Sequence, residues 1–448
     1  MEFLAIILFI LIFLLLLKGY PVAFTLGGAS VLFGLGVSYW APEYFHLSDF
    51  KLLAPRIMGT MKNYVLIAVP LFIYMGIMLQ KSGLAESLLE TMAMLFGKVK
   101  GGLAISVVVV GALLAASTGI VGATVVTMGL ISLPTMIKRG YNVELASGTI
   151  AASGTLGQII PPSIVLVLLA DTINNSSRGG SNVDVGTMFT AALLPGLLLV
   201  LCYMAYIMIK AYSGENMAPP IPEEEIEEFK GKGFFWRVLK VFILPMILIV
   251  AVLGSIFAGL ASPTEAAAVG ALGATVLTVI QKKFSYSVLK EVMEETTHLT
   301  TMVFMILLGA TTFTLVFKML GGDDFLIRYI TESDLSPSVF ILLVMIVIFV
   351  TGFFVDFIEI IFILVPVVTP LFNALEIDML WIGVLIALNL QTSFLTPPFG
   401  FSLFYLKGVS PEGVRTQQIY RGAVPYIVIQ ILFLFAIFMF PELVYFFL

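Results

Sequence analysis

Ser153-Gly-Thr-Leu-Gly-Gln-Ile-Ile-Pro161-Pro162 and Asn389-Leu-Gln-Thr-Ser-Phe-Leu-Thr-Pro397-Pro398 decide how this chain folds. Each stretch lies inside a long apolar run and ends on two successive prolines. A Pro-Pro pair removes two amide donors and clashes with the preceding turn, so a helix that meets it must break. One shift of 236 residues carries Pro134 onto Pro370, Pro161 onto Pro397 and Pro162 onto Pro398. Tyr20-Pro21-Val-Ala-Phe-Thr-Leu-Gly-Gly28 resembles Ser262-Pro263-Thr-Glu-Ala-Ala-Ala-Val-Gly270 at a shift of 242, so insertions intervene. Ordered matches of this kind predict a paired repeat; chance similarity among the glycines and prolines of membrane helices is the competing reading.

The medium around those breaks follows from composition. Hydrophobic residues fill 60% of the 448 positions and charged residues 11%, against roughly 25% charged in a soluble domain. Phe3 to Leu17, Val241 to Phe257 and Val339 to Val350 carry no charge and read as lipid-embedded helices. The alternating polarity of a β-barrel is missing. Phe3 to Leu17 has the length of a secretory signal. However, Glu2 stands where a basic region belongs and no small-residue cleavage pattern follows, so we read it as a retained first helix. The single cysteine, Cys202, excludes an intrachain disulfide and reads as a small core side chain. Two histidines, His46 and His298, in separate amphipathic segments argue against a metal site built on histidine. The net charge of −5 singles out no partner, and no nucleic acid is expected.

One long charged stretch, 214–237, with Pro219, Pro220, Pro222 and the acidic run Glu223 to Glu228, divides the chain near its middle. The organisation expected is a first repeat over 1–213, a charged cytoplasmic linker over 214–237 and a second repeat over 238–448. Suppose the N-terminus is outside and each half has five crossings and one re-entrant hairpin. All but six of the 23 Lys and Arg then fall on the cytoplasmic side, the six being Lys51, Arg56, Lys62, Arg178, Lys318 and Arg328. An odd number of crossings per half turns the second repeat upside down. The fold class is therefore an all-α polytopic membrane protein of two inverted repeats. Each half also carries a discontinuous helix, at about 144–170 and 380–404, preceded by a re-entrant hairpin at about 101–136 and 337–372. Amphipathic segments at Asp49 to Lys62, Leu84 to Lys98 and Ser285 to His298 are expected along the interface, bracing the scaffold.

Irregular backbone at membrane depth is tolerated only where it is buried in protein or lines a cavity, and paired breaks in two repeats point to a midplane binding site. Hydroxyls and unwound carbonyls supply hard oxygen ligands for sodium without a fixed charge. Ser153, Thr155, Thr392, Ser393 and Thr396 are the candidates; the bland alternative is that each hydroxyl bonds back to its own helix. Ala116-Ser117-Thr118-Gly119-Ile-Val-Gly122-Ala-Thr124 reads as the tip of the first hairpin, and Thr351-Gly352-Phe-Phe-Val-Asp356-Phe-Ile-Glu359 takes the corresponding place in the second. Asp356 and Glu359, three apart on one face, either attract a cation or proton or merely cap the hairpin helix. Glu265 reads as a first-turn cap. Nucleotide motifs are missing, so an ion gradient is the expected energy source. No nucleophile stands beside a base, so an intramembrane enzyme is not expected.

The strings Gly154-Thr-Leu-Gly-Gln-Ile-Ile-Pro-Pro-Ser163, Pro263-Thr-Glu-Ala-Ala-Ala-Val-Gly270, Val355-Asp-Phe-Ile-Glu-Ile360 and Leu390-Gln-Thr-Ser-Phe-Leu-Thr-Pro-Pro-Phe-Gly400 resemble the large, DctM-like membrane subunit of tripartite ATP-independent periplasmic (TRAP) transporters. The similarity runs over nearly the whole chain, in the family's order. It implies a sodium-driven, elevator-type permease in the bacterial inner membrane. It also implies a DctQ-like small four-helix membrane subunit, expected here as a separate chain, and a periplasmic substrate-binding protein. The resemblance implies sodium at Ser117, Gly154, Gly157, Thr392 and Ser393, and substrate contact at Thr118, Ser153, Thr155 and Asp356. Many large subunits have a serine-rich first hairpin tip; this chain reads Ser117-Thr118-Gly119-Ile-Val-Gly122. The cargo expected is a small organic acid such as a C4-dicarboxylate. The alternative is a self-sufficient sodium:carboxylate symporter that needs no binding protein.

Overall fold

A computed structural model describes the chain except residues 1, 178–182, 215–216, 230, 232 and 334; at 2, 117 and 118 it describes the backbone alone. Arg178, Lys230 and Lys232, which enter the charge count above, lie outside the described residues. Every regular element described is a helix. Among the described residues, eight helices are long and apolar enough to cross a bilayer one by one: Val22–Trp40, Tyr64–Lys81, Val121–Lys138, Val185–Ser213, Phe234–Phe257, Pro263–Ile280, Tyr286–Met319 and Thr416–Met439. A ninth arises if Phe357–Ile363 and Val365–Ala374, bent by 48°, count as one span. Large apolar side chains such as Ile247, Leu272 and Leu432 face outward. Water would not tolerate so much contiguous apolar surface, whereas hydrocarbon does. The chain is a multi-pass membrane protein.

Helices of the two halves pack on each other through small residues. Gly309 of Tyr286–Met319 lies against the Ala23 carbonyl with no space for a Cβ, and Gly270 of Pro263–Ile280 lies against the Met75 sulfur. The Thr264 hydroxyl donates to the Tyr64 carbonyl at 3.0 Å, and Tyr74 and Thr275 share a hydrogen bond of 2.9 Å. Apolar packing carries no hydrophobic premium in lipid, so close backbone approach and hydrogen bonds of this sort hold such helices together. Pro263–Ile280 starts with the cap its sequence announces: the Glu265 carboxylate accepts from the Ser262 amide at 2.7 Å, and the Ser262 hydroxyl accepts from the Glu265 amide at 3.3 Å.

Two expectations need correction. Ser285 to His298 is not a separate interfacial segment but the start of one continuous helix, Tyr286–Met319. No proline interrupts that stretch, and its charges are met on the helix surface by Lys290 with Glu294 and by Lys81 with Glu291 and Glu295. Cys202 is exposed on Val185–Ser213 rather than buried; that helix is apolar on every side, so its composition does not mark an inner face.

The charged stretch in the middle of the chain is strapped down. The Gly101 amide donates to the Ala218 carbonyl at 3.0 Å, Asn142 to Met217 at 3.0 Å and Ile221 to Gly97 at 2.8 Å. Lys98 pairs with Glu223 at 2.9 Å, and Arg139 grips both oxygens of Glu225. The Arg139 hydrogen bonds hold the Glu225 carboxyl below its ordinary range. These contacts gather the turns before Gly102–Thr118 and Val143–Thr155 on one face of the protein.

Candidate functional site

Both Pro-Pro pairs interrupt helices. Val143–Thr155 tightens into a 3-10 turn at Leu156–Gln158, loses regular structure through the prolines and resumes as Ile164–Ser176. Met379–Leu395 ends before its prolines, and Phe401–Val409 follows. The Pro161–Pro162 and Pro397–Pro398 peptide bonds are both cis. Thirteen residues of helix, as in each piece of the first break, reach about 20 Å at 1.5 Å per residue. Neither piece alone spans a hydrocarbon core of roughly 30 Å; the two together do.

Before each break stands a pair of helices. The first pair is Gly102–Thr118 and Val121–Lys138; its turn is set by Gly119, whose φ of +60° favours glycine and whose amide closes the preceding helix on Ala115 at 2.9 Å. The second pair is Pro337–Thr351 and the bent Phe357–Ile363 with Val365–Ala374. Each pair lies against the break that follows it. Gly154 fits against Val125 with no space for a Cβ, and a Cβ on Gly157 would stand 2.8 Å from the Ala115 carbonyl oxygen. In the second half, Gly352 fits against the Ser393 hydroxyl, again with no space for a Cβ. The shift of 236 takes Gly157 to Ser393 and Ala116, next to Ala115, to Gly352. The breaks thus meet their helix pairs through an equivalent position on the break and positions one residue apart on the helix pair. The Asn389 amide also ties the second break to the second pair, donating to the Met345 carbonyl at 2.7 Å.

The candidate hydroxyls share one pattern. Ser153 donates to the Ile150 carbonyl at 3.0 Å, Thr155 to Ala152 at 2.8 Å, Thr392 to Leu388 at 2.8 Å, Ser393 to Leu390 at 2.8 Å and Thr396 to Thr392 at 2.7 Å. Each bonds back to its own helix, as the bland reading holds. The same bond directs the hydroxyl hydrogen inward and leaves oxygen lone pairs facing the packed interface, which is the polarity a cation requires. Ser153, Thr155, Thr392 and Ser393 are essentially inaccessible to solvent. Ser117 and Thr118 occupy the last turn of Gly102–Thr118, and their side chains lie outside what the structure describes.

Asp356 and Glu359 form a reciprocal cap on Phe357–Ile363. Asp356 accepts from the Phe357 amide at 2.7 Å, and Glu359 accepts from the Asp356 amide at 3.2 Å. The capping alternative accounts for their spacing; both carboxylates keep lone pairs to spare. Sequence reasoning passed over Gln158, which is fully buried in the first break with neither end of its amide bonded to protein among the described residues. A primary amide inside an otherwise apolar run was the available signal, because an unpaired buried amide costs about 1–3 kcal/mol unless water or a ligand meets it.

The family model for the DctM component of the tripartite ATP-independent periplasmic transporters matches residues 9–443. The C4-dicarboxylate TRAP transporter large permease protein DctM of Pseudomonas aeruginosa is 32% identical over 393 residues, 87% of each chain. The sialic acid TRAP transporter large permease protein SiaM of Vibrio cholerae is 28% identical over 96% of this chain and 94% of its own length. In fold, the chain is similar to the crystal structure of the Alcanivorax borkumensis YdaH transporter, with a TM-score of 0.61 at 15% identity over 88% of each chain.

Proposed function

The chain belongs to the DctM components of the tripartite ATP-independent periplasmic transporters, and on that premise we propose that it is the large permease subunit of a sodium-coupled secondary transporter that imports small organic acids handed over by a periplasmic binding protein. The observation that carries this reading is the matched contact in the two halves, Gly157 against Ala115 and Ser393 against Gly352, each at a broken helix. Unwound carbonyls and hydroxyl lone pairs at such places are neutral, hard oxygen donors, suited to a monovalent cation that must bind and leave once per cycle. Sodium draws each helix pair onto its break, and the solute anion binds better to the protein so ordered; the coupling is reciprocal. Gly154, Gly157, Thr392 and Ser393, with Ser117, serve the ions; Thr118, Ser153, Thr155 and Asp356 serve the solute.

The two helix pairs and the two broken helices move as one elevator unit against the remaining helices, in halves of opposite orientation. The acidic strap lies on the cytoplasmic face of the inner membrane. A small four-helix membrane subunit completes the permease. Two relatives are named for C4-dicarboxylates and for sialic acid, both of them acids, which supports an organic acid as cargo.

Reconstitution tests the proposal. Vesicles holding this chain with its small subunit should take up a labelled acid only when the binding protein and an inward sodium gradient are both present. Uptake by the chain alone would favour the self-sufficient symporter, and uptake indifferent to sodium would remove the coupling.

A further inference from the structure

A cavity of about 350 Å³ opens between Leu53–Met61, Ile164–Ser176, Tyr286–Met319 and the bent second helix pair. It lies away from both breaks, along the second piece of the first broken helix. The acidic strap holds the turn at Asn142, where that broken helix begins, whereas Asp171 stands near its far end. Cavity and strap are therefore at opposite ends of the broken helix. With the strap cytoplasmic, the cavity is on the entry side, and both Arg56 and Lys318 in its wall were among the six basic residues assigned there.

Its walls carry opposite charges that do not pair across it. Arg56 on one wall makes no ion pair among the described residues, and Lys318 on another turns partly to Asp323, at 3.4 Å. On the facing helix, Asp171 is only 7% exposed. One of its oxygens accepts from Asn63 at 2.5 Å and the other from Asn175 at 3.0 Å. Each carboxylate oxygen accepts two hydrogen bonds, so acceptor capacity remains. Beside it, the buried Thr172 hydroxyl has no partner among the described residues. A carboxylate and a guanidinium left apart in a part-buried site are costly unless something between them satisfies both.

We propose that this cavity is an entry site for a small acid that carries a hydrogen-bond donor at its far end, held by its carboxylate on Arg56 and Lys318 and by its donor on Asp171 and Thr172. The volume lies at the small end of ligand pockets. The inference rests on the transporter reading and narrows its cargo: a plain dicarboxylate would set its second charge against Asp171, and a site with buried polar groups rejects a ligand that leaves them unmet.

The test compares two acids built on the same four-carbon chain, 4-hydroxybutyrate and succinate. They are titrated calorimetrically against the full chain in lipid nanodiscs, with melting midpoints as a check on folding. The wild-type chain should bind 4-hydroxybutyrate about tenfold more tightly than succinate. Asp171→Asn should bring the two within about threefold of each other, because its amide donates to a second carboxylate, and Arg56→Gln should weaken both by about tenfold. Thr172→Val, nearly the same in shape, should weaken 4-hydroxybutyrate alone and covers the case in which Asp171→Asn fails to fold. Succinate binding as well as 4-hydroxybutyrate, no binding of either, or an unaltered ratio in both Asp171→Asn and Thr172→Val would overturn the entry site. Sodium-driven uptake in vesicles is scored separately: if it is missing while the discrimination holds, the transport reading fails and the site stands.

Discussion

The first break is built on glycine and the second on hydroxyls, and that difference separates two ways of making one kind of site. At Gly154 and Gly157 the chain presents bare backbone, pressed against Val125 and Ala115. At Ser393, which the shift of 236 pairs with Gly157, and at Thr392 just before it, the chain presents side-chain oxygens, with the glycine, Gly352, moved across to the facing helix. Close approach needs one small residue per contact, on either side. What differs is the ligand proposed for the ion: backbone carbonyls of Gly154 and Gly157 in the first break, where the Ser153 and Thr155 hydroxyls are given to the solute, and side-chain hydroxyls in the second. A substitution at Gly154 or Gly157 therefore acts through packing, and one at Thr392 or Ser393 acts through the ligand itself.

The largest effect should come from filling the first contact. Gly157→Val forces a branched side chain toward a backbone oxygen that cannot step aside, and overpacking of this sort costs about 1–3 kcal/mol. Sodium-driven uptake should fall by about a hundredfold, with a lower melting midpoint, whereas Gly28→Ala, at a glycine with open space around it, should leave both intact. Equal tolerance at the two glycines would break the comparison. Next in size is the cap of the second helix pair. Asp356→Ala should lower stability by about 1 kcal/mol, read by chemical denaturation, and reduce uptake. Asp356→Asn keeps a good cap without the charge; uptake restored to the wild-type rate by asparagine would assign the acid to capping alone.

The paired breaks were legible because Pro-Pro has one outcome in a helix, and the Ser262 to Glu265 cap because Ser-x-x-Glu specifies its own hydrogen bonds. Asp356 to Glu359 carries the same spacing, yet two acids within a membrane segment drew attention to charge first. Asp171 and Gln158 are not legible for the opposite reason: each is a single polar residue with Leu, Ile or Val close by, and only packing shows what surrounds it. Ser285 to His298 was misjudged because an amphipathic pattern says which face is wet and nothing about whether the helix continues. The inward pairing of Gly352 with Ser393 joins residues 41 positions apart (393 − 352) and has no local signature.

A smaller effect concerns the strap, which adjoins the first half's helix pair. Glu225 titrates below its ordinary range because Arg139 binds the charged form. Its contribution is therefore complete at neutral pH and is lost as pH falls through the lowered folded-state value. The Arg139–Glu225 pair is partly exposed, so its loss amounts to about a few tenths of a kcal/mol and high salt reproduces it. Hydrogen exchange at the Ile221 amide, bonded to Gly97, should quicken in acid or salt, and Glu225→Gln should remove the acid step. An acid step of the same size in Glu225→Gln would assign it to another group.

The most direct test of ion capture at the breaks is the sodium activation curve of uptake in vesicles for Ser393→Ala beside the wild type. Losing one neutral oxygen ligand should raise the sodium concentration for half-maximal uptake about tenfold, with the chain expressed and folded as before. A superimposable curve would contradict the account.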